Sequence, residues 1–513
     1  MTDKVPGFVG SIRRRWAEAT ASQLWAFACL AGVFIHLCRI RVMPHDFWWH
    51  VRVGQWILQN GSVPDHDLFS FTRAGAPYGF VLWWLADVML YLLLQAGGLA
   101  LVIFFCAVVI TAAYGLLLRL NSTAARGDLR WAATATLLAA GVGLSNWYTR
   151  PQVLSFLLFA VTLWLIEKHR AGIDGEPSAP SFPRSMWLLP PVFGLWANVH
   201  GGFVVGLALL ALYVLTSSWE WFRRRTVPPT ALVAVAVLSL AATTLTPAGP
   251  HTLGYAIGIL RHPTVRELTV EWLPPTLRTF AGQLFFGFVI VWLVSLAAGR
   301  YRPSPHEYAR FLLFGVMALT AVRNTSWFGF VAAPSLAAAL SRWTSDRAAA
   351  SRTTGPDRLA INRVVALVVA MTAVMSLPWV RPLLPVAQWR SYVSPDTPVK
   401  STSYLRTLPM PRRIFHSEAY GSYMIWASPE IPVFIDTRID LYTPSQWSDY
   451  LAVTNARYDW KEILERHRID TLFLDREAQV LLIAAASRDS VWERRYEDER
   501  SVILLRRDPS PVK

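Results

Sequence analysis

Charged side chains are scarce in this sequence of 513 residues. Asp, Glu, Lys and Arg together make up 16% of it, whereas soluble domains carry roughly 25%. Apolar runs of about 20 residues recur along the chain, and runs of that length can cross a lipid bilayer as helices. The shortage of charge argues against a soluble domain, and the runs predict a polytopic α-helical membrane protein.

Cysteine is also rare, and the sequence has no glycine-rich loop of the kind that cradles phosphates. The three cysteines, Cys29, Cys38 and Cys106, lie in or beside apolar runs without the spacing of metal ligands, so we interpret them as buried apolar residues. Although the net charge is +15, the arginines lie mainly in short loops between apolar runs rather than along a groove. We therefore predict neither a nucleotide cofactor nor a nucleic-acid partner.

The distribution of basic residues predicts the topology. Loops rich in arginine stay in the cytoplasm, which places residues 1–21 inside and the loop 43–79, together with residues 382–513, outside. Eleven crossings satisfy this alternation, so the short apolar segment 80–96 is predicted to be re-entrant or tilted at the outer interface. The predicted spans of the membrane domain 22–381 are 22–42, 98–118, 131–148, 152–167, 186–198, 201–219, 229–246, 281–298, 309–323, 327–341 and 362–380.

Residues 382–513 differ from the rest, because apolar runs shrink to strand length and charged residues return. Strands that alternate with helices predict a small extracytoplasmic α/β domain. The predicted strands are Arg413–His416, Pro432–Asp436, Thr471–Asp475 and a final hairpin of Arg494–Glu497 with Val502–Arg506, and the predicted helices are Glu418–Ala427, Ser445–Thr454, Trp460–His467 and Glu477–Ala486.

The segment from Pro44 to Trp84 is unusually rich in ionisable and aromatic groups for a loop between apolar spans. Polar groups at a membrane interface often mark a substrate path or a reaction site, because their desolvation must be compensated. Within this segment, Asp65, His66 and Asp67 fit a metal or substrate site, and they fit equally well a turn capped by an aspartate.

The other outside junctions carry mixed polar residues, whereas the cytoplasmic ones carry scattered arginine. Each outer residue, taken alone, fits a helix cap or a contact with lipid headgroups. Together they predict an outward-facing polar pocket between the helices. The candidate substrate-binding residues are His45, His50, Arg150, Gln152, Asn198, His200, Arg266, Arg323 and Asn324.

The first outside loop resembles that of the GT-C glycosyltransferases, which include protein O-mannosyltransferases, aminoarabinose transferases and catalytic subunits of oligosaccharyltransferases. The features that carry the resemblance are Asp46 just after the first span, a short helix over Trp48–Gln59, the turn Gly61-Ser62-Val63-Pro64, and Pro77-Tyr78 leading to Trp83-Trp84. The outer segments EAYGSYMIW and PVFIDTRIDLY are faintly similar to the acceptor-side segment of oligosaccharyltransferases. The sequence is also similar to a bacterial branch of such membrane proteins.

This resemblance implies an inverting transferase in a bacterial inner membrane that takes a sugar from a polyprenyl-phosphate donor. Asp46 would be the base that accepts the proton of the acceptor hydroxyl, while Arg150, Arg323, His200 or Arg266 would stabilise the phosphate. Many relatives have a second acidic residue beside the first and another in the second outside loop, where this chain has Phe47, Arg150 and Gln152. A divalent metal therefore remains open.

Two points have competing interpretations. Asp436 and Arg438 would line the acceptor side of the site, or they form a salt bridge that fixes a turn. The scaffold itself would be a glycosyltransferase, or alternatively a non-catalytic accessory protein or a transporter of lipid-linked sugars. A transporter would have polar residues through the membrane midplane and an inverted repeat, and the sequence shows no such repeat. The sugar, the acceptor and the oligomeric state are not encoded in any motif.

Overall fold

The computed structural model describes residues 20–175, 182–224, 228–345, 356–410 and 412–507. The predicted cytoplasmic N-terminus, 1–21, lies outside these ranges except for its last two residues. The first described helix begins at Ala21, after a capping box in which Thr20 and Gln23 satisfy each other's backbone N–H groups.

The chain folds into a helical bundle followed by a small domain with a sheet. Apolar side chains from many of its helices form one buried core in the bundle. Its helices are α1 (Ala21–Arg39), α2 (Phe47–Asn60), α3 (Trp84–Ala124), α4 (Leu129–Gly143), α5 (Gln152–Gly175), α6 (Leu189–Val199), α7 (Phe203–Arg224), α8 (Thr230–Ala242), α9 (His251–Arg261), α10 (Pro263–Leu268), α11 (Phe280–Ala298), α12 (Pro305–Thr320), α13 (Thr325–Ser345) and α14 (Pro356–Ser376).

Each of the eleven predicted spans overlaps one of these helices, although several extend a few residues beyond its ends. Among the described residues, five helices are long and apolar enough to cross a membrane, namely α1, α3, α7, α11 and the Gln152–Arg170 part of α5. Helices α6 and α8 have 11 and 13 residues, fewer than the roughly 20 that a bilayer core requires. A many-helix membrane protein is thus supported, whereas the count of eleven crossings is not confirmed.

Helix α3 breaks in its middle at a pair of glycines. Gly98 has a φ of 63° and Gly97 has non-helical angles as well, and a positive φ is a conformation that residues with a Cβ seldom adopt. The predicted short segment 80–96 therefore forms a 3-10 turn, Phe80–Leu82, and the first part of α3. This part packs against α2 at Gly54. A Cβ at Gly54 would lie 2.1 Å from the backbone carbonyl oxygen of Asp87, so the two helices can pack this closely only because residue 54 has no side chain. Its placement at the outer interface stays a prediction.

Residues beyond the bundle form the predicted α/β domain. Its sheet has the order β1-β2-β4-β3, with β1 and β2 parallel and the other pairs antiparallel. The final hairpin is confirmed. The elements are α15 (Val399–Leu405), β1 (Ile414–His416), α16 (Glu418–Ala427), α17 (Pro444–Thr454), α18 (Trp460–Arg466), β2 (Thr471–Asp475), α19 (Val480–Arg488), β3 (Trp492–Glu497) and β4 (Ser501–Arg506).

The predicted strand Pro432–Asp436 is wrong. In place of a strand in the sheet, Val433 forms an isolated bridge with Ser70 of the first outside loop. The Val433 N–H donates to the Phe69 carbonyl at 2.9 Å, and the Phe71 N–H donates to the Val433 carbonyl at 3.0 Å. The three consecutive apolar residues of this segment, Val433, Phe434 and Ile435, are all buried, and Phe434 packs against Phe71 of the loop.

The first outside loop and the C-terminal domain share one hydrophobic core. Trp49, Ile57 and Phe80 of the loop region lie in the same buried cluster as Phe434 and Phe473 of the domain. The two parts are therefore held together by apolar burial, at roughly 25 cal/mol per Å² of apolar surface removed from water. This packing fixes where the end of the first span lies relative to the loop 435–440.

A glycine permits the closest approach within this core. A Cβ at Gly421 would lie 2.0 Å from the carbonyl oxygen of Ile435, so α16 can touch the segment that leads to Asp436 only because residue 421 has no side chain.

We expect Gly421→Ala to lower the free energy of unfolding by about 1–3 kcal/mol through overpacking. Gly258→Ala is the control, because residue 258 is helical with no atom within 4 Å of its Cβ position, and alanine should stabilise that helix by about 0.5–1 kcal/mol. Thermal unfolding of both purified variants measures the difference. Equal midpoints for the two variants would contradict the close packing of α16.

Candidate functional site

Asp46 lies where the first outside loop meets the C-terminal domain. It precedes α2 but makes no capping hydrogen bond to that helix, so its carboxylate is available for other partners. One oxygen accepts a hydrogen bond from Arg150 at 3.2 Å, and the other accepts one from the Thr437 hydroxyl at 2.6 Å. The Asp46 side chain keeps 24% of its surface exposed, which leaves it reachable by a substrate.

Arg150 joins two carboxylates from distant parts of the chain. Its guanidinium contacts Asp46 and also Glu271, at 2.5 Å, on the turn Val270–Trp272. Burial alone would disfavour the charge of Arg150, but the two carboxylates outweigh this effect and raise its pKa above the usual value. Arg150 is therefore a permanently charged link between the first outside loop and the loop 247–280.

Glu271 pairs with a second arginine. Its other oxygen lies 3.3 Å from Arg323, whose guanidinium stacks over the Trp272 ring at 4.6 Å. Burial opposes the charge of Glu271, yet Arg150 and Arg323 together lower its pKa to about 2. Arg323 itself is less well compensated, because burial and the charge of Arg150 hold its pKa below the usual value despite Glu271.

The C-terminal domain supplies the second partner of Asp46 through a short chain of hydroxyls. The Thr437 hydroxyl must donate to the Asp46 carboxylate, so the Ser422 hydroxyl donates to Thr437 at 2.8 Å. Ser422 in turn accepts the backbone N–H of Thr437 at 3.1 Å. Neither residue is predicted from the sequence, since a threonine after a buried run gives no local signal of this contact.

His200 lies near the same arginines in a neutral form. Its Nδ1 accepts the Gly202 backbone N–H at 2.9 Å and lies 2.8 Å from the Ser155 hydroxyl, which accepts the indole N–H of Trp196. A backbone N–H only donates, so the ring proton belongs on Nε2. Burial and the charges of Arg323 and Arg150 hold the pKa of His200 well below its usual range.

Two candidate residues fix helices to one another. His50 and Asp87 form a buried pair, with Nδ1 and Oδ1 2.6 Å apart, between α2 and α3. Asn198 uses its whole amide, because it accepts the Trp84 indole N–H at 2.7 Å and donates to the carbonyls of Gly194 and Leu245. These contacts give both residues a structural role beside the site.

The remaining junction residues are more loosely connected with Asp46. His45 and Arg266 are exposed, and the structure does not bring either into the Arg150 cluster. Asn324 donates to the Met317 carbonyl at 3.1 Å at the end of α12. Gln152 is buried, with its amide oxygen lacking a hydrogen-bond partner.

The Asp65-His66-Asp67 segment has the geometry of a capped turn. Asp67 is buried and accepts the backbone N–H groups of Phe69 and Ser70, whereas Asp65 is exposed and pairs with His66 at 2.8 Å. Within the described ranges, no group of three or more His, Cys, Asp or Glu side chains is arranged to hold a metal ion.

Asp436 and Arg438 form a buried ion pair that fixes a turn. The Arg438 side chain donates to both oxygens of Asp436, at 2.8 and 2.6 Å, and also lies 2.7 Å from Asp67 of the first loop. Tyr442 completes the set with a 2.6 Å bond to Asp436. This arrangement agrees with the structural interpretation and ties the domain to the loop.

We expect Glu271→Gln to lower the free energy of unfolding by about 3 kcal/mol at neutral pH, because two buried guanidinium groups lose their shared carboxylate. The pKa of Glu271 is lowered from its ordinary value of 4.5 to about 2 in the folded protein. Its carboxylate therefore contributes fully to the free energy of unfolding above pH 4.5, and this contribution declines as the pH falls toward about 2. The difference between variant and wild type should therefore shrink over that interval, as measured by thermal unfolding at several pH values.

Glu430→Gln is the matched control, because the pair of Glu430 with Arg406 at 3.0 Å is largely exposed. Such a pair contributes about 0–1 kcal/mol. A Glu271 variant that unfolds like the Glu430 variant at neutral pH would contradict the buried network.

No protein-family model matches the sequence. No curated protein matches it either.

Solved structures do share its fold. The oligosaccharyltransferase of Archaeoglobus fulgidus in its apo form has a TM-score of 0.59 at 14% identity, over 90% of this chain and 70% of that one. AglB from the same organism, in complex with an inhibitory peptide and a dolichol-phosphate, has a TM-score of 0.56 at 15% identity, over 91% and 70%. ArnT from Cupriavidus metallidurans, bound to undecaprenyl phosphate, has a TM-score of 0.50 at 12% identity, over 95% and 98%. The chain therefore shares the fold of these two archaeal oligosaccharyltransferase structures and of ArnT, and this agrees with the fold that the first outside loop predicts by its resemblance.

Proposed function

We propose that this protein is an inverting glycosyltransferase that moves a sugar from a polyprenyl-phosphate-linked donor to an acceptor hydroxyl on the extracytoplasmic face of a bacterial inner membrane. The observation that carries the proposal is the Asp46 carboxylate, which is oriented by Arg150 and Thr437 and remains partly exposed. Arg150 and Thr437 come from two distant parts of the chain, and Glu271, from a third, holds Arg150 in turn. The fold is that of transferases solved with dolichol-phosphate and undecaprenyl phosphate.

Asp46 is the proposed general base. In a single displacement, the acceptor oxygen forms a bond to the anomeric carbon of the sugar as the bond from that carbon to the phosphate oxygen breaks. The acceptor proton passes to Asp46, and the polyprenyl phosphate leaves as an anion. Thr437 and Arg150 hold the carboxylate in one orientation, which favours a reaction whose partners must be aligned.

The phosphate requires cationic or hydrogen-bonding groups near the leaving oxygen. Arg323 is the leading candidate, because only part of its charge is compensated by Glu271. Its planar guanidinium can bind two phosphate oxygens at once. The neutral His200 would donate from Nε2, which its hydrogen bonds at Nδ1 leave as the protonated nitrogen.

An apolar cleft beside the site suits the lipid tail of the donor. It has a volume of about 550 Å³ and is lined by Trp84, Pro190, Leu195 and Asn198, among others. Asn198 is two residues from His200, so the cleft begins close to the proposed phosphate position. A hydrocarbon chain gains free energy from such a surface through burial.

A resident metal does not fit the residues present. The cation between the carboxylates of Asp46 and Glu271 is the guanidinium of Arg150, so a divalent ion would have to displace a charged side chain from both partners. We therefore propose that the transfer needs no divalent metal.

We expect Asp46→Asn to reduce sugar release about 10²–10⁴-fold, the usual range for loss of a general base. Thr437→Val should reduce it about 10- to 100-fold through the loss of one charge-assisted hydrogen bond. Asp65→Asn is the control, because the Asp65 side chain is exposed and, among the residues that the structure describes, pairs with His66 alone. The measurement is release of radiolabelled sugar from mixed polyprenyl-phosphate donors by the purified protein.

Full release of sugar by the folded Asp46→Asn variant would show that Asp46 is not the general base. If well-folded wild type also releases no sugar, the glycosyltransferase proposal fails, and an accessory or transport role on the same scaffold replaces it.

Chelation provides a separate test of the metal-free site. We expect EDTA to leave the initial rate of wild type unchanged, because the Arg150 guanidinium supplies the local positive charge. Arg150→Ala should lose activity in the presence and absence of Mn²⁺ or Mg²⁺. Loss of wild-type activity in EDTA, with recovery on adding either ion, would contradict this interpretation.

A further inference from the structure

A second cleft opens on the side of the site formed by the end of α1. It has a volume of about 540 Å³, and its lining includes Arg39, Arg41, Met43, Tyr148 and Trp389. None of these residues lines the apolar cleft near Trp84. The two clefts therefore approach the Asp46 region from different helices and differ in chemistry, one apolar and one basic.

The basic cleft carries positive charge without acidic partners. Arg39 stacks over the Trp389 ring at 4.6 Å, and Arg41 donates to the Gln388 backbone carbonyl. Arg381 is buried nearby, stacks over Tyr392 at 5.1 Å, and has a buried Nε without a hydrogen-bond partner. Across the described ranges of the chain, no carboxylate forms an ion pair with any of these three arginines.

The charge of the buried Arg381 is unfavourable without a counterion. Burial, together with the positive charges of Arg41 and Arg39, lowers the pKa of Arg381 below its usual value. Arginines next to membrane spans usually lie on the cytoplasmic side, whereas this cluster adjoins the predicted outer end of the first span. An anionic ligand would compensate it, and guanidinium groups bind phosphate oxygens in a bidentate manner.

The cleft lies beside Asp46 and Arg150 of the candidate site. The Tyr148 ring lines it and also lies 5.4 Å from the guanidinium of Arg150, which bonds to Asp46. Met43, three residues before Asp46, forms part of the same wall. Backbone hydrogen bonds between Val42 and the residues Tyr392 and Ser394, at 2.8 and 2.9 Å, hold that wall in place.

We propose that this basic cleft binds the acceptor, and that the acceptor is a phosphate-bearing carbohydrate whose hydroxyl is presented to Asp46. The assignment rests on the proposed glycosyltransferase function. Arg39 and Arg41 bind the phosphate, and the aromatic rings of Trp389 and Tyr148 offer apolar faces with polar edges to the sugar. The lipid-linked donor then occupies the other cleft, so the two substrates meet at Asp46 from opposite sides.

Binding of glucose 6-phosphate to the full-length protein in uncharged detergent tests the cleft. We expect Arg39→Gln to weaken this binding about tenfold or more, the effect of losing one charge-assisted contact. Arg278→Gln is the matched control, since Arg278 is likewise exposed but lies on the loop 273–279, away from the cleft. Its affinity should equal that of wild type, and glucose without phosphate should bind far more weakly than glucose 6-phosphate.

Equal affinity of wild type and Arg39→Gln for glucose 6-phosphate would overturn the proposal. So would saturable binding of phosphatidylglycerol in nanodiscs without any binding of glucose 6-phosphate, because the cleft would then be a site for lipid headgroups.

The failure of this proposal can be told apart from failure of the proposed function. Sugar transfer by wild type with the same KM for phosphorylated and neutral acceptors would refute the basic cleft alone. Arginine-dependent binding of glucose 6-phosphate by a wild type that releases no sugar from any donor would refute the transferase and leave an anion site.

Discussion

The candidate site depends on the two ion pairs that the guanidinium of Arg150 forms. This guanidinium lies between Asp46 and Glu271, two carboxylates that would otherwise be close to each other with part of their hydration lost. Burying like charges without a counterion is unfavourable by several kcal/mol. One cation therefore fixes the first outside loop and the loop 247–280 against the junction of α4 and α5. Thr437 extends the same constraint to the C-terminal domain.

A second set of contacts, between the first loop and the C-terminal domain, holds Thr437 beside Asp46. The first loop contributes large apolar side chains to the core of the C-terminal domain, and the buried Arg438 connects Asp436 with Asp67 across the boundary. Phe69, in the loop, adds its ring at 5.2 Å from the same guanidinium. The domain is thus part of the site wall, because its turn 436–438 cannot move without breaking these contacts.

The sequence was sufficient for features that depend on local pattern. Apolar runs predicted helices at the right places, and mixed polar residues at span junctions drew attention to Asp46, Arg150, His200 and Arg323. It was not sufficient where partners are distant in the chain. The short apolar run within 432–436 predicted a strand in the sheet, yet Val433 pairs with Ser70, more than 350 residues away.

The polar candidates show the same division. Asn198 was chosen for its chemistry, but its amide bonds to Trp84 on α3 and to the carbonyl of Leu245, just after α8. Thr437 was overlooked because a lone threonine is common in any sequence. Whether a polar residue at a junction binds substrate or another helix is decided by packing, since a satisfied amide has no group left for a ligand.

The charges at the site also suggest an order of events. Asp46, Arg150, Glu271 and Arg323 sum to no net charge, so the resting site is neutral although it contains four ions. An incoming donor phosphate would compete with Asp46 for Arg150 and would recruit Arg323. Glu271 would retain both arginines near their positions, because its carboxylate contacts each of them. If the phosphate drew Arg150 away from one Asp46 oxygen, Thr437 would still hold the other, so the carboxylate would stay oriented while the freed oxygen accepts the proton. Under the proposed function, such coupling would limit nonproductive chemistry at the carboxylate, and it would arise from the ion pairs themselves rather than from a separate moving element.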